Sequence, residues 1–206
     1  GAAGDGQLRF FIGDIRNKTR LVRAMQGADI VVHAAAMKQV TACEYNPFEA
    51  VRTNIHGAEN VINAALDEGV QRVLALSTDK ASSPVSLYGA TKLVSDKLFV
   101  NGNVYAGGRG TKLAVVRYGN VVGSRGSVVT QFKRLAETGR LPVTDLRMTR
   151  FWITLPQAVS WVRCCLARMQ GGEIVVPKLP SLKVVDLAHA VAIVAKAAEA
   201  GSTSGE

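Results

Sequence analysis

The sequence predicts an α/β fold in which helices flank a parallel sheet. Three apolar runs, at residues 29–36, 72–76 and 112–118, have the length and composition of strands that are buried on both faces. A long stretch with apolar residues at helical spacing, residues 44–67, separates the first two runs. With 206 residues, of which 48% are hydrophobic, the chain can bury one sizeable core.

Strands and helices are expected to alternate along the chain. Residues 8–12 predict a first strand and residues 18–26 predict the helix after it. Gly69 ends the helix of residues 44–67, because glycine readily adopts the backbone conformation found at helix C-termini. After the strand that begins at residue 72, we expect a helix over 88–98 and a glycine-rich turn over 101–110. Further strands are expected over 112–118, 146–153 and 172–176, further helices over 156–169 and 184–198, and a loose tail from residue 201.

The charge of the chain favours anionic partners. Lysine and arginine number 25 against 16 aspartate and glutamate residues, which gives a formal net charge of +9. Nucleic acid is one candidate, but the sequence contains no nucleic-acid-binding motif. Sugar nucleotides and dinucleotide cofactors are also polyanions, so we expect a small-molecule partner and no nucleic acid.

Other features favour a cytoplasmic protein without a metal site. No apolar run approaches the roughly 20 residues of a membrane span. Residues 1–6 lack the basic and apolar regions of a signal peptide. Cys43 and the adjacent Cys164 and Cys165 match no metal-binding spacing and provide no even disulfide framework. The prediction is a protein with reduced thiols, no membrane contact and no bound metal.

Reactive side chains cluster just after the central predicted strand. Ser77, Thr78, Asp79 and Lys80 follow the apolar run at its C-terminal end, where open α/β sheets bind their ligands. The pair formed by residues 88 and 92, a tyrosine and a lysine, is spaced to share one face of a helix. A tyrosine acting as a base near neutral pH needs its pKa lowered by about 3 units, and an ammonium one helical turn away favours the tyrosinate. This pattern indicates proton and hydride transfer, although Y-x-x-x-K also occurs by chance on ordinary surface helices.

The strand, the Ser/Thr corner and Y-x-x-x-K together resemble the extended short-chain dehydrogenase/reductase family. The longer strings STDKA, LYGATK, RYGNVVGSRGS and MTRFWI resemble more narrowly the inverting UDP-N-acetylglucosamine 4,6-dehydratases. The resemblance covers residues 8–190. It implies a Rossmann-like parallel sheet, NADP as cofactor, UDP-N-acetylglucosamine as substrate, a homo-oligomer in the full-length form, and the first step towards pseudaminic acid or a related 6-deoxy sugar.

The resemblance also implies a role for each residue of the corner. Tyr88, supported by Thr78 and Lys92, deprotonates the C4 hydroxyl while hydride leaves C4 for NADP. Lys80 then removes the C5 proton and Asp79 protonates the departing C6 hydroxyl, after which hydride returns to C6 and C5 is inverted. A glutamate in place of the lysine would resemble the dehydratases that retain the C5 configuration. Lys80 needs a depressed pKa for this role, which burial and nearby Lys92 would provide. The alternative is an exposed Asp-Lys turn pair.

Binding residues follow from the same resemblance. The residues implied for the cofactor are Asp14, Ile15, Ala34, Ala35, Ala36, Lys38, Asn54, Ser77, Thr78, Tyr88, Lys92, Tyr118, Gly119, Asn120 and Val121. The residues implied for the substrate are Lys38, Asp79, Lys80, Asn120, Arg125, Val128, Thr144 and Arg150. Asp14 and Ile15 would border the adenine, and Asn54 would help to fix the catalytic lysine through water.

Some of these residues have simpler interpretations. Asp14 is also placed to cap the helix of residues 18–26, and both roles are compatible. His33 lies inside a predicted strand and is expected to be a packed core histidine. Residues 146–153, which line the substrate side in the resemblance, have by themselves the pattern of an amphipathic edge strand.

The sequence lacks the glycine-rich phosphate loop of dinucleotide-binding folds, because no G-x-G-x-x-G or G-x-x-G-x-x-G string lies between a strand and a helix. In the resemblance the chain therefore begins at the third strand of a truncated fold. We expect residues 1–143 to form a partial NADP-binding domain and residues 144–206 part of a substrate-binding region. The core should keep three or four parallel strands, with residues 8–12 either hanging free or pairing with a new edge.

Two alternatives to the dehydratase remain open. The first is another sugar-nucleotide epimerase or reductase of the same superfamily. The second is a catalytically inactive interaction fragment, since without the phosphate loop we expect no measurable NADP binding.

Overall fold

The computed structural model describes residues 8–124, 126–136 and 138–202, which form two compact units. The first unit extends through Val116 and includes Cys165–Val175, and the second contains Arg117–Cys164 and the residues from Val176 onwards. The division predicted between residues 143 and 144 concerns which part binds cofactor and which binds substrate, and it stays a prediction.

The bounds of the elements are as follows. The strands are β1 (Ile30–His33), β2 (Arg72–Thr78), β3 (Lys112–Tyr118), β4 (Asn120–Val121), β5 (Thr149–Ile153), β6 (Ile174–Val175) and β7 (Ser181–Lys183). The α-helices are α1 (Lys18–Met25), α2 (Val40–Tyr45), α3 (Pro47–Val51), α4 (Gly57–Asp67), α5 (Leu87–Ala106), α6 (Val128–Ala136), α7 (Leu155–Arg168) and α8 (Val184–Ser202).

A four-stranded sheet in the order β1-β2-β3-β6 forms the centre of the first unit. β1 runs parallel to β2, with Ile30 opposite Arg72, and β3 runs parallel to β6, with Val115 opposite Ile174. The predicted parallel sheet is confirmed, and β3 has the predicted bounds. The strand predicted over residues 29–36 ends at His33, because the three alanines after it leave the sheet.

Residues 8–12 form no strand, so the prediction of a strand was wrong, and of the two outcomes expected for this segment the structure has the unpaired one. Leu8, Phe10 and Ile12 are largely exposed, and no other strand among the described residues lies on the outer edge of β1. A strand is stable only where its backbone donors and acceptors find partners. The apolar composition of this segment therefore indicates compatibility with a strand, but it does not supply the neighbour that a strand needs.

Helices α4 and α5 cover the sheet and supply much of its core. Val61 and Ile62 of α4 and Phe99 of α5 are buried in one cluster with Val73 and Leu113 of the sheet. Burying side chains of this size stabilises the fold by roughly 1.5–3 kcal/mol for each one. The apolar positions at helical spacing in the sequence correspond to this buried face.

The helix predicted over residues 44–67 is interrupted. Pro47 begins α3, since proline suits the first turn of a helix and cannot continue one. Arg52–His56 is then a π-helical segment, in which the Gly57 N–H donates to the Arg52 carbonyl five residues back. Gly69, with a φ of 68°, follows the end of α4 as predicted.

Helix α5 is longer than predicted. It continues to Ala106, so the glycine-rich turn expected over residues 101–110 begins only at Gly107. Gly102 lies within the helix, where a Cβ would stand 2.7 Å from Leu113 Cδ1. The local glycine content suggested a turn, but Gly102 packs against Leu113 of β3 within a continuous helix.

The second unit contains a small mixed sheet in the order β4-β5-β7. β4 and β5 are parallel, and β5 and β7 are antiparallel. β5 is therefore the middle strand, and the edge-strand interpretation of residues 146–153 was wrong. Helix α6, which the sequence did not predict, packs with α8 around Phe132, Val184 and Ala188.

Three further predictions concern the remainder of the chain. Helix α8 extends to Ser202, past the start of the tail expected at residue 201, and residues 203–206 lie outside the described residues. All three cysteines are described, and none is in a disulfide. No helix in the described part of the chain combines the length and apolar character needed to cross a membrane.

Candidate active site

Three of the four predicted polar residues, Thr78, Asp79 and Lys80, form a hydrogen-bonded corner at the end of the central strand. β2 ends at Thr78, and Asp79–Ala81 forms one turn of 3₁₀-helix. Thr78 Oγ1 donates to Asp79 Oδ1 at 3.0 Å and accepts from the Lys80 N–H at 3.3 Å. Lys80 Nζ donates to the same Asp79 oxygen at 3.3 Å. One carboxylate oxygen therefore receives both a hydroxyl and an ammonium.

The Asp79–Lys80 contact is a partly exposed ion pair. The Lys80 side chain is 38% exposed and that of Asp79 is 26% exposed. The pair places an ammonium and a carboxylate side by side at the C-terminal end of β2, where both remain accessible to a bound molecule.

Tyr88 lies in the first turn of α5, which two side chains cap. Ser86 Oγ accepts from the Gly89 N–H, and Glu44 Oε1 accepts from the Leu87 N–H at 2.7 Å. The first N–H groups of a helix have no partner inside the helix, and side-chain acceptors satisfy them. The two caps fix the turn that carries Tyr88.

Gly89 brings this turn against the Asp79–Lys80 corner. A Cβ at Gly89 would collide with the main-chain carbonyl oxygen of Lys80 and would stand 3.0 Å from Pro84 Cβ. Only glycine allows this approach. A glycine is therefore required at position 89 for steric reasons, which the spacing of Tyr88 and Lys92 alone did not reveal.

Lys92 is a buried cation at the end of β2. Its side chain is 3% exposed, and Nζ donates to the Leu76 carbonyl at 2.9 Å. Burial lowers the pKa of the ammonium, and the charge of Asp96 one turn further along α5 opposes that change. The predicted pair at residues 88 and 92 lies within one helix, with its lysine anchored to the central strand.

Asn54 lies in the π-helical segment and is 2% exposed. Its Oδ1 accepts from the Met37 N–H at 2.8 Å, and its Nδ2 donates to the Met37 carbonyl at 2.9 Å and to Thr91 Oγ1 at 3.0 Å. Both amide hydrogens are therefore used within the protein. No spacing rule connects Met37 or Thr91 with Asn54, so the sequence did not predict them as partners.

Small exposed residues follow β1, and the last residue of that strand is a buried histidine. Ala34 and Ala35 are exposed, so the main chain there is open to close approach, and Lys38 is also exposed. His33 is buried and stacks on Phe99 with ring centroids 5.5 Å apart. Burial and then the charge of Lys92 lower the pKa of His33 to about 4. The prediction of a packed core histidine is confirmed.

Asp14 is held by Arg16 and does not cap α1. Its carboxylate accepts from the Arg16 main-chain N–H at 2.9 Å and from Nη2 at 2.7 Å. These hydrogen bonds lower the pKa of Asp14 to about 2. The cap of α1 is Asn17, whose side chain accepts from the Arg20 N–H, so the capping interpretation of Asp14 was wrong. Ile15 is fixed against α4, where its carbonyl accepts from Asn60 Nδ2.

Four of the predicted cofactor residues lie where β3 ends and β4 begins. Tyr118 is the last residue of β3, and burial raises the pKa of its hydroxyl. Gly119 is pressed against β5, since a Cβ there would stand 2.5 Å from the Phe151 carbonyl oxygen. Asn120 and Val121 form β4 and pair with β5.

The predicted substrate residues of the second unit are spread over three elements. Val128 is the first residue of α6, and Thr144 is exposed in the segment before β5. Arg150 lies in β5, where its Nη1 donates to the Thr149 carbonyl at 2.7 Å. Arg125 lies outside the described residues.

The described residues fit a bound dinucleotide. Ser77 Oγ is buried at the C-terminal end of β2 and has no hydrogen-bond partner within the part of the chain that the structure describes. The Asp14 side chain is 49% exposed and keeps lone pairs for a donor such as an adenine amino group. The small residues after β1 leave room for close approach. These three features fit the adenine and nicotinamide ends of such a cofactor, while the sequence contains no glycine-rich loop for its pyrophosphate.

Three comparisons with known proteins agree with this fold. Over 187 residues the chain is 60% identical to a UDP-N-acetylglucosamine 4,6-dehydratase (inverting) from Campylobacter jejuni, covering 90% of this chain and 56% of that protein. The X-ray structure of Pen from Bacillus thuringiensis has 43% identity and a TM-score of 0.88, over 91% of this chain and 60% of its own. DesIV, a dTDP-glucose 4,6-dehydratase from Streptomyces venezuelae with NAD and TYD bound, has 28% identity and a TM-score of 0.81. This match covers 91% of this chain and 63% of the DesIV chain.

These similarities confirm the Rossmann-like fold and the resemblance to inverting UDP-N-acetylglucosamine 4,6-dehydratases. The chain spans a little over half the length of the Campylobacter relative. A family model described as polysaccharide biosynthesis protein matches residues 3–204, nearly the whole sequence. The chain belongs to this polysaccharide biosynthesis family.

Proposed function

We propose that these residues carry out the dehydration of UDP-N-acetylglucosamine to a 4-keto-6-deoxy sugar nucleotide with inversion at C5, and that NADP is the cofactor. The observation that carries the proposal is the hydrogen-bonded Asp79–Lys80 pair beside the turn of Tyr88, in a chain 60% identical to a protein of that name. The product is of the kind that leads to pseudaminic acid or a related 6-deoxy sugar.

The residues proposed to hold the cofactor are Asp14 at the adenine, and Ser77 and Lys92 at the reactive end. When bound, NADP supplies a reversible hydride acceptor for the sugar. Tyr88 Oη takes the proton of the C4 hydroxyl. The buried ammonium of Lys92, fixed by its 2.9 Å hydrogen bond to Leu76, favours the tyrosinate that does so.

The ion pair supplies both the acid and the base for loss of water. One proton moving from Lys80 Nζ to Asp79 Oδ1 along their 3.3 Å contact gives a neutral amine and a carboxylic acid. The amine takes the C5 proton, and the acid gives its proton to the C6 hydroxyl, which leaves as water. Both side chains then have their original charges. Formation of the product is completed when hydride returns to C6 and the proton released from the C4 hydroxyl is replaced at C5 on the opposite face, which inverts C5.

The free-energy cost of that proton transfer indicates that the substrate must exclude water from the Asp79–Lys80 pair. For an isolated aspartate and lysine in water it is about 9 kcal/mol, from the difference of their ordinary pKa values. A site without water disfavours both charges and reduces this cost. Because the Lys80 side chain is 38% exposed, the bound sugar must cover the pair before elimination begins.

A chimaera tests the proposal. This chain replaces the matching 187 residues of the Campylobacter jejuni dehydratase. The chimaera is then supplied with UDP-N-acetylglucosamine and NADP, and the product is identified by NMR. We expect a 4-keto-6-deoxy sugar with inverted C5. An epimerised sugar that keeps its C6 hydroxyl would assign the epimerase alternative instead, and a product with retained C5 would contradict the role of Lys80.

Two variants of the chimaera identify the base. Lys80→Ala should abolish dehydration and leave the affinity for NADP nearly unchanged, because Lys80 acts on the sugar. Lys97→Ala changes an exposed lysine of α5 and is the matched control, with turnover expected at the unmodified rate. Unmodified turnover in Lys80→Ala would remove Lys80 from the mechanism.

A calorimetric titration of the 206-residue chain with NADP tests the fragment alternative. We expect no measurable binding, since the sequence has no glycine-rich loop to place backbone N–H groups on the pyrophosphate. A micromolar dissociation constant would show that the loop is less important than we infer.

A further inference from the structure

Thr91 links the catalytic helix to a distant segment of the chain. It lies in α5 between Tyr88 and Lys92 and is 2% exposed. Its hydroxyl donates to the Tyr88 carbonyl at 2.9 Å and accepts from Asn54 Nδ2 at 3.0 Å. Asn54 in turn bonds both the N–H and the carbonyl of Met37. A continuous hydrogen-bond chain therefore joins the residues after β1 to the first turn of α5.

The number of hydrogens on each side chain fixes the direction of every hydrogen bond that joins Met37, Asn54, Thr91 and Tyr88. A threonine hydroxyl has one hydrogen, and Thr91 uses it on the Tyr88 carbonyl. The amide of Asn54 has two hydrogens, which go to the Met37 carbonyl and to Thr91. No donor is left over. Removing the Thr91 hydroxyl would leave a buried N–H of Asn54 without an acceptor, which is costly for a side chain that is 2% exposed.

The backbone at Asn54 is shaped to make this contact. Asn54 lies in the Arg52–His56 segment, where the Gly57 N–H bonds the Arg52 carbonyl in the wider π-helical pattern. Short π-helical segments inside α-helices are often found at functional sites. Asn54 is the one buried residue of Arg52–His56, and it lies within this wider turn. Its side chain hydrogen-bonds Met37 and Thr91.

We propose that Thr91 is a positioning residue: through Asn54 its hydroxyl holds the Met37 segment in register with the turn that carries Tyr88. The significance for catalysis rests on the proposed function, in which Tyr88 takes the proton of the C4 hydroxyl, and on the cofactor and substrate contacts that the resemblance implies for Lys38. The hydrogen-bond chain itself can be tested without cofactor, substrate or turnover, so the two ideas fail separately.

The experiment is amide-resolved hydrogen exchange by NMR on the purified 206-residue chain. The Thr91→Val variant removes the hydroxyl and keeps the shape of the side chain. The Met37 amide should then exchange about tenfold faster or more, because Asn54 must turn to find another acceptor. Thr91→Ser keeps a hydroxyl and should restore the exchange rate to within about twofold of the original.

Thr111 provides a matched control. It is 5% exposed, and its Oγ1 has no hydrogen-bond partner within the residues that the structure describes. Thr111→Val makes the same chemical change at another buried site of the first unit. It should leave the exchange of Met37 unchanged.

Each outcome decides the proposal. Faster exchange confined to the Met37 segment and the Tyr88 turn, with rescue by serine, supports it. Unchanged exchange of Met37 in Thr91→Val overturns it, and so does an equal increase throughout the core, which would mean that Thr91 only stabilises the fold. If Thr91→Val does not fold, Thr91→Ala is measured instead. Failure of both variants to fold overturns the positioning role, because the hydroxyl is then needed for folding itself.

Discussion

The ammonium of Lys92 donates to the main-chain carbonyl of Leu76 at 2.9 Å, within a site where the lysine is 3% exposed. This bond ties helix α5, which carries Tyr88, to the central strand β2. It fixes a positive charge beside Ser77, whose hydroxyl has no partner within the described residues. The position of the charge is therefore set by the strand and not by a flexible side chain in solvent.

Replacing this cation should stop catalysis without unfolding the protein. Lys92→Met in the chimaera should lower turnover by about 10²-fold or more, the scale of general acid–base catalysis. Methionine has a similar length and carries no charge to desolvate, so the circular dichroism spectrum should be unchanged. The control is Lys97→Met, on an exposed position of the same helix. Unreduced turnover in Lys92→Met would refute the assigned role of the lysine.

Asp14 offers a test of the adenine contact with an internal control. Asp14→Ala in the chimaera should weaken NADP binding by about 1–2 kcal/mol, the scale of one hydrogen bond to a charged group. Asp145 holds Arg147 through a main-chain bond at 2.8 Å and a side-chain bond at 2.9 Å, the same arrangement as Asp14 with Arg16. Asp145→Ala should leave the affinity unchanged. Titration calorimetry measures the NADP affinity of both variants. Equal affinities would mean that Asp14 pairs with Arg16 but does not contact the adenine.

His33 should make the stability of the chain depend on pH. Its pKa is about 4 in the folded chain and returns to an ordinary value near 6.5 on unfolding. The unfolded chain therefore binds a proton that the folded chain does not, between pH 6.5 and 4. Stability is fully present above pH 6.5 and falls by about 3 kcal/mol as the pH is lowered through this window.

Urea unfolding between pH 7 and pH 4 measures this dependence. His33→Phe removes the titrating group and can still stack on Phe99, so the decline over this window should be smaller by about 3 kcal/mol. The same substitution at His56, whose side chain is 59% exposed, should leave the decline as it was. An equal decline in His33→Phe and the unmodified chain would show that other groups cause it.

Gly89 should tolerate no side chain. Alanine usually stabilises a helix relative to glycine by about 1 kcal/mol. At Gly89 the added Cβ meets the rigid Lys80 carbonyl, so we expect a net loss of about 1–3 kcal/mol in the free energy of unfolding. At Gly102 the nearest atom is the end of the Leu113 side chain, which can move, and the net change should stay within about 1 kcal/mol. Urea unfolding compares the two, and a smaller loss at Gly89 than at Gly102 would contradict the steric argument.

The sequence by itself determined the parts of the molecule with a local signal. The bounds of β3 and most of β2 follow from apolar composition, because strands buried on both faces need nothing else. The corner of residues 77–80 and the pair at residues 88 and 92 were predicted as a site, since each is contiguous or one helical turn apart. The resemblance to inverting dehydratases rested on these same short strings.

Tertiary structure decided everything that depends on a partner far along the chain. Residues 8–12 have the composition of a strand but no edge to pair with. Helix α5 continues through Gly102, where it packs against Leu113 of the next strand. Asn17, not Asp14, caps α1, because the carboxylate of Asp14 is hydrogen-bonded to Arg16 instead. Thr91 has a role only because folding places Asn54, 37 residues earlier, within 3.0 Å of its hydroxyl. Hydrogen bonds and steric contacts act over a few ångströms, and which atoms come that close is set by the fold and not by local sequence.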